Sequence, residues 1–312
     1  MNEVVGRVPS QGRNTFIKNA MILSLGGILV KVLGFYRIPL AAILGPVGMG
    51  LFQYAYPIFN ALLAISAAAS IPTAISKMVS ERLARRQFRS AQKIFQVALV
   101  MLFILGAMGT VIMIAGARFV AEVIIGDPRA YFPLVAIAPA ILIVSVMASL
   151  RGYFQGMQTM VPSAASQVVE QAGRVLAALI LAYLLLPRGL EFAAGGASFG
   201  VVIGSAFGLA LLALLYWYRG QQLRFSGGGA DEPGREGAGR IALEITRLSV
   251  PITLAALVSP IIQLIDTVIV PRRLQIAGFT PEAATGLYGQ LTGFAAPLMN
   301  LPQIFTVALA AS

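Results

Sequence analysis

Apolar residues in this 312-residue chain run in near-unbroken blocks of about twenty or more, the length at which an α-helix crosses a hydrocarbon core about 30 Å thick. Inside hydrocarbon the backbone must satisfy its own N–H and C=O groups, and a helix does this within each segment. The pattern therefore predicts an all-α fold, a polytopic transmembrane helix bundle. Eight spans are expected, over residues 16–44, 48–75, 91–115, 131–150, 161–186, 193–218, 241–270 and 284–311. Composition agrees: 58% of residues are hydrophobic and 11% charged, against about 45–50% and 25% in soluble domains. The first block is too long for a cleavable signal peptide, whose apolar region holds about 7–15 residues.

Charge placement orients the bundle. Arg7, Arg13 and Lys18 precede the first span, and Lys77, Arg82, Arg85, Arg86, Arg89 and Lys93 lie around the second connection. Arg151 falls between spans four and five, and Arg219, Arg224, Arg235, Arg240 and Arg247 flank the connection after span six. The alternate connections hold Arg118, Arg129, Arg188, Arg272 and Arg273. Basic loops stay in the cytoplasm, so a cytoplasmic N-terminus in a bacterial cytoplasmic membrane is expected. The net charge of +11 then reflects topology and contact with anionic membrane lipid, and no nucleic-acid partner is expected.

The chain contains no Cys and no His. That removes disulfides, thiol nucleophiles, thiolate and imidazole metal sites, and the commonest general base. No Gly-Lys-Ser/Thr phosphate loop occurs either. The expectation is a protein that is not an enzyme and needs no cofactor or metal, with any active transport secondary or driven by a partner.

Residues 226–240 are rich in Gly and charge and have little to bury. They read as a flexible cytoplasmic linker between an N-terminal lobe of six helices, 1–225, and the first two helices of a second lobe, 241–312. A repeat supports two similar halves. Gly50-Leu51-Phe52, Pro57-Ile58-Phe59-Asn60 and Ala68-Ala69-Ser70 recur in order as Gly286-Leu287-Tyr288, Pro297-Leu298-Met299-Asn300 and Ala310-Ala311-Ser312. On this reading the chain is a fragment of a longer protein, with a dimerising half-length protein as the alternative.

A charge at the bilayer centre costs from about 2.5 to above 10 kcal/mol, so it faces a bundle interior or a wet cavity. Lys31 and Arg37, six residues apart on span one, stand about 9 Å apart along a helix axis and can border one cavity. A guanidinium suits phosphate especially well; the alternatives are an Arg37 that snorkels to the interface and a Lys31 that only balances an acid. Glu170 and Arg174 share one face of span five at i,i+4 spacing, which fits a mutually neutralising pair. Asp266, with Gln263 one turn before it, is a counter-ion for Arg37 or Lys31, or a site for a coupling cation or proton. Gln53 and Asn60 on span two are candidate cavity-lining groups, while Tyr54 and Tyr56 line the cavity or anchor at the interface. Gly196, Gly200, Gly204 and Gly208 form a smooth stripe for close helix packing.

The stretch Arg151-Gly-Tyr-Phe-Gln-Gly-Met-Gln158, followed by Pro162 and Ser166-Gln-Val-Val-Glu-Gln-Ala-Gly-Arg174, resembles the stage V sporulation protein B group of polysaccharide exporters. That group belongs to the multidrug/oligosaccharidyl-lipid/polysaccharide flippase superfamily. Lys31-Val-Leu-Gly-Phe-Tyr-Arg37 is similar to the first-helix motif of its lipid II flippases, and Tyr288 to Ser312 resembles their eighth helix. The resemblance implies two six-helix lobes, extra C-terminal helices and a cationic central cavity with alternating access. It implies an undecaprenyl-diphosphate-linked saccharide as substrate, with Lys31 and Arg37 as diphosphate contacts. The chain departs from lipid II flippases in having no Arg within 48–75 or 284–311. Lipid II, spore-cortex and capsule precursors therefore all stay open. Two other functions compete: a multidrug cation antiporter, which prefers cavity acids, and a non-transporting scaffold for cell-wall synthesis proteins.

Overall fold

The computed structural model describes residues 27–299 apart from 28, 31, 67–69 and 227–236, with the side chains of 219–226, 297 and 298 also outside the description. Lys31, most of the linker and the tail of the second repeat thus lie outside the described residues. The described chain forms α1 (Arg37–Ile65), α2 (Ile71–Ala84), α3 (Phe88–Phe119), α4 (Tyr131–Ile137), α5 (Pro139–Gly156), α6 (Val161–Leu185), α7 (Leu190–Ser226), α8 (Ala238–Ile276) and α9 (Pro281–Gln290). No strand occurs among the described residues. Six of the helical segments are long and apolar enough to cross a membrane, which makes this a multi-pass membrane protein.

α1 is two arms rather than one rod. Gly45 breaks it with φ 64° and ψ −179°, a region essentially reserved for glycine. Pro46 follows, and a proline disfavours helical geometry in the residue before it. The consequence is visible nineteen residues apart: the Arg37 guanidinium carbon lies 5.7 Å from the centre of the Tyr56 ring. A straight helix would separate those positions by about 28 Å along its axis. The chain therefore reverses at Gly45: the first arm is the described end of the first expected span, and the second arm follows the second.

The second span differs from its expected form. It stops at Ile65, resumes at Ile71 and runs on to Ala84, well past the expected end at residue 75. Pro72, which lacks an N–H, sits in the first turn of α2, where that donor is not needed. The break is tied down by hydroxyls: Ser66 donates to the Leu63 carbonyl at 2.8 Å, and the Ser70 and Thr253 hydroxyls meet at 2.7 Å.

Lipid gives helices no hydrophobic reason to associate, so close shape and polar contacts must hold them. α6 and α7 show the first. A Cβ added to Gly200 would lie 2.7 Å from the Ala178 nitrogen, and one on Gly204 2.7 Å from the Arg174 nitrogen. The stripe of glycines is a packing device, as its spacing predicts. Two apolar clusters fill the bundle. One, around Leu40, Phe52, Ile125 and Leu134, lies at the Gly45 end. The other, around Ile75, Phe95, Phe154 and Ile245, lies at the far end.

α9 crosses the return arm of α1 where the two repeats match. A Cβ on Gly50 would lie 2.8 Å from Thr285 Cγ2, and one on Gly289 2.9 Å from Gly50 Cα. The ring of Tyr54 stacks on that of Tyr288, 4.9 Å between centres and 12° between planes. The repeated segments thus face each other.

The reversal generates a direct test. Gly45→Ala places a Cβ in a conformation that costs about 1–3 kcal/mol, whereas helical Gly116 has nothing within 4 Å of an added Cβ. Thermal loss of helical circular dichroism in detergent should fall to lower temperature for Gly45→Ala and stay level or rise for Gly116→Ala. Equal behaviour of the two variants would contradict a glycine-dependent turn.

Candidate functional site

The reversal brings Arg37 and the middle of the return arm to one wall of a cavity of about 390 Å³, and α8 and the α9 region supply the opposite wall. Arg37, Gln53, Tyr56 and Asn60 line the first wall; Gln263, Asp266, Tyr288 and Thr292 line the second. That volume suits a small ligand or a head group. Four of the residues singled out in the sequence, Arg37, Gln53, Asn60 and Asp266, thus border one space. Glu170 and Arg174 are placed elsewhere, within the first six helices.

The cavity residues differ in how free they are. Arg37 rests over Tyr56 as a cation–π pair and forms no ion pair among the described residues. Asp266 is exposed to the same space, yet it makes no ion pair with Arg37, so a contact as its counter-ion is absent. Gln53 is committed: its amide donates to the Thr292 carbonyl at 2.8 Å. It ties the walls together as well as lining them. Tyr54 and Tyr56 are not interfacial anchors. Tyr54 is fully buried, and the Tyr56 hydroxyl is sealed from solvent.

The ion pair expected on span five is present but larger. Arg174 donates to Glu170 Oε1 at 2.8 Å, and Arg151 donates to Glu170 Oε2 at 2.9 Å and to the Ser166 hydroxyl at 3.0 Å. Arg151 was expected in a loop. α5 continues to Gly156, so Arg151 instead sits inside a helix opposite Ser166 and Glu170. One carboxylate serves two guanidiniums, and the three side chains are only 12–21% exposed.

A second polar cluster closes the Gly45 end. Asp127, almost fully buried, accepts two bonds at 3.0 Å from the Arg129 guanidinium and one at 3.1 Å from the Thr285 hydroxyl. Thr285 in turn accepts from the Tyr54 hydroxyl at 3.2 Å. Arg129 also approaches Glu282 at 3.9 Å, and Arg272 donates to the Val123 carbonyl. Residues of the first six helices are thereby bonded to α8 and α9. Sequence reading passed over Asp127; its signal is the Asp-Pro-Arg turn, in which the Asp127 side chain accepts from the Arg129 backbone.

A family model described as polysaccharide biosynthesis protein matches residues 16–312. Stage V sporulation protein B of Bacillus subtilis (strain 168) is 32% identical over 299 residues, covering 95% of this chain and 57% of that protein. Lipid II flippase MurJ of the same organism is 32% identical over 213 residues, covering 64% of this chain and 39% of that protein. The chain spans about half the length of the curated relatives it matches. Among solved structures, a MOP superfamily transporter from Pyrococcus furiosus superposes with a TM-score of 0.65 at 16% identity, over 95% of this chain and 70% of that one. An inward-facing multidrug resistance MATE family transporter gives 0.61 at 15% identity, over 88% and 59%. At such identities the likeness concerns the fold.

The shared carboxylate yields a stability prediction. Glu170→Gln leaves two guanidiniums facing each other without an anion, which should lower stability in detergent by about 3 kcal/mol. Adding Arg151→Gln removes one of the stranded cations and should recover part of that loss. Additive losses in the double variant would show that the three groups do not act as a unit.

Proposed function

The chain belongs to the polysaccharide biosynthesis protein family, and on that premise we propose that it forms part of a membrane flippase for an undecaprenyl-diphosphate-linked saccharide. The observation that carries this reading is the cavity between the first helical hairpin and α8–α9. It holds an Arg37 guanidinium without an acidic partner among the described residues, beside amide and phenol groups suited to phosphate and sugar hydroxyls. The substrate is a cell-wall, spore-cortex or capsule precursor such as lipid II, and transport is secondary, by alternating access. The relatives named as a flippase and as a sporulation protein support the substrate class. No catalytic step is needed, because moving a lipid-linked head group makes and breaks no covalent bond.

Alternating access requires that contacts at one end of the cavity open while those at the other close. The Asp127–Arg129–Thr285–Tyr54 cluster suits this, since it adds breakable hydrogen bonds to the packed contact between the first helices and α9. With the N-terminus cytoplasmic, the Gly45 end faces outward and this cluster seals the outer side. Asp266, exposed in the cavity and without an ion-pair partner among the described residues, is the group suited to a coupling proton or cation. Glu170, held between two arginines, serves the charge network of the first lobe. Asp266 is also what an organic-cation antiporter would use, which keeps that alternative in view. Interaction with cell-wall synthesis proteins would add a partner to this transport role.

Two measurements test the reading. In membrane vesicles from cells expressing the gene, Arg37→Ala should slow translocation of a fluorescent lipid-linked disaccharide diphosphate at least tenfold, the loss of about 1.4 kcal/mol or more. Arg37→Lys should retain part of the rate. Unchanged translocation with lost efflux of cationic dyes would favour the antiporter. Orientation is tested with single cysteines, against no background because the chain has none. Exposed Arg188→Cys should react with an impermeant thiol reagent on whole cells, and exposed Arg85→Cys only after lysis. The reverse pattern would invert the topology.

A further inference from the structure

Gln53 serves the cavity and the seal beyond it at once. It lines the wall that carries Arg37, and its amide donates to the Thr292 carbonyl on the opposite wall at 2.8 Å. Only 6% of the residue is exposed, so the amide reaches a head group by swinging into the cavity and releasing that carbonyl. Thr292 lies in a π-helical turn, Leu291–Ala295, that continues α9. Such turns are rare and occur frequently at functional sites.

The bond stands at the base of the seal at the Gly45 end. Tyr54, the next residue on α1, stacks on Tyr288 and donates to Thr285, which donates to Asp127. On the facing side the Thr292 hydroxyl donates to the Tyr288 carbonyl at 2.7 Å. The carbonyl that Gln53 grips and the ring that Tyr54 covers therefore belong to one hydrogen-bonded turn. A ligand shifts an equilibrium only by binding one state better than the other. Exchange at Gln53 supplies that difference, because a bond to a charged phosphate oxygen is roughly twice as strong as one to a neutral carbonyl. Resting on the flippase reading above, we propose that Gln53 is a ligand-sensing clasp: an anionic head group held at Arg37 draws the Gln53 amide away from the Thr292 carbonyl, and the seal at the Gly45 end loosens. Loading thereby opens the exit.

The test uses spin labels on Arg188→Cys and Phe279→Cys, in an otherwise cysteine-free chain. Both positions are exposed. Both lie at the Gly45 end, the first near Leu190, which faces Gly48, and the second beside Pro46. Distances are measured in detergent with and without farnesyl diphosphate, whose binding is followed by calorimetry. The ligand should raise the ratio of long to short distances roughly fivefold, the worth of one hydrogen bond. Gln53→Leu should raise it about as much without ligand and show no further rise on adding it. Its affinity should change little, since it loses one ligand bond but has no clasp to break. Gln53→Asn, whose amide stops one carbon short of Thr292, should behave alike and replaces the leucine variant if that one unfolds. Thr285→Val, which removes the hydroxyl between Tyr54 and Asp127 but leaves Gln53 in place, should loosen the seal and still respond to ligand. A response that survives Gln53→Leu or Gln53→Asn overturns the clasp, as does binding to the unaltered protein without a change of distance. Loss of binding together with the response marks an ordinary contact and overturns it too. Failure of the unaltered protein to bind farnesyl diphosphate is a different result, and it overturns the flippase reading and the clasp with it.

Discussion

Everything in this molecule follows from the absence of water around its backbone. A helix inside lipid gains nothing by turning an apolar face to another helix, because the lipid is as apolar as leucine. Association must come from close approach and from the few polar groups that the bundle can satisfy. The α6–α7 pair uses the first means, with Gly200 and Gly204 admitting the facing backbone at Ala178 and Arg174. The second appears where the backbone breaks or the lobes meet, at Ser70–Thr253 and at Asp127–Thr285.

The same constraint sorts the charged residues into two kinds. Glu170 with Arg151 and Arg174, and Asp127 with Arg129, are held in bonded clusters within the protein. Arg37 and Asp266 instead border a cavity and leave their ion-pairing capacity unused among the described residues. Groups committed within the protein can hold lobes together; uncommitted groups can meet a ligand or an ion. Tyr288 touches both systems, since it lines the cavity and stacks on Tyr54, which belongs to the cluster at the Gly45 end. An occupant of the cavity therefore sits one ring away from the bonds that join Tyr54 and Asp127 to α9.

Much of this was legible in the residues. Hydrophobic block length pointed to a multi-pass helical membrane protein, four-residue spacing exposed the Glu170–Arg174 pair and the glycine stripe, and the cost of a buried charge drew attention to Arg37 and Asp266. What escaped had physical causes. Arg151 was hidden because a hydropathy boundary ends a span at the first charge, while the helix itself continues to Gly156. The helix end at Ile65 and the restart at Ile71 left no mark on hydropathy. The roles of Tyr54 and Tyr56 depend on residues far away in sequence, Thr285 and Arg37. No local pattern could reveal those partners.

The crossing of α9 over the return arm sets two repeated stretches face to face. The segment around Gly50 rests on the segment around Gly289, and these belong to the stretches that repeat in sequence. A surface that packs against its own counterpart is what the two subunits of a symmetric dimer share. The crossing of α9 over the return arm thus has the self-facing form that a symmetric subunit interface has. The two faces are not identical: Phe52 stands where the second stretch has Tyr288, whose hydroxyl meets that of Thr267.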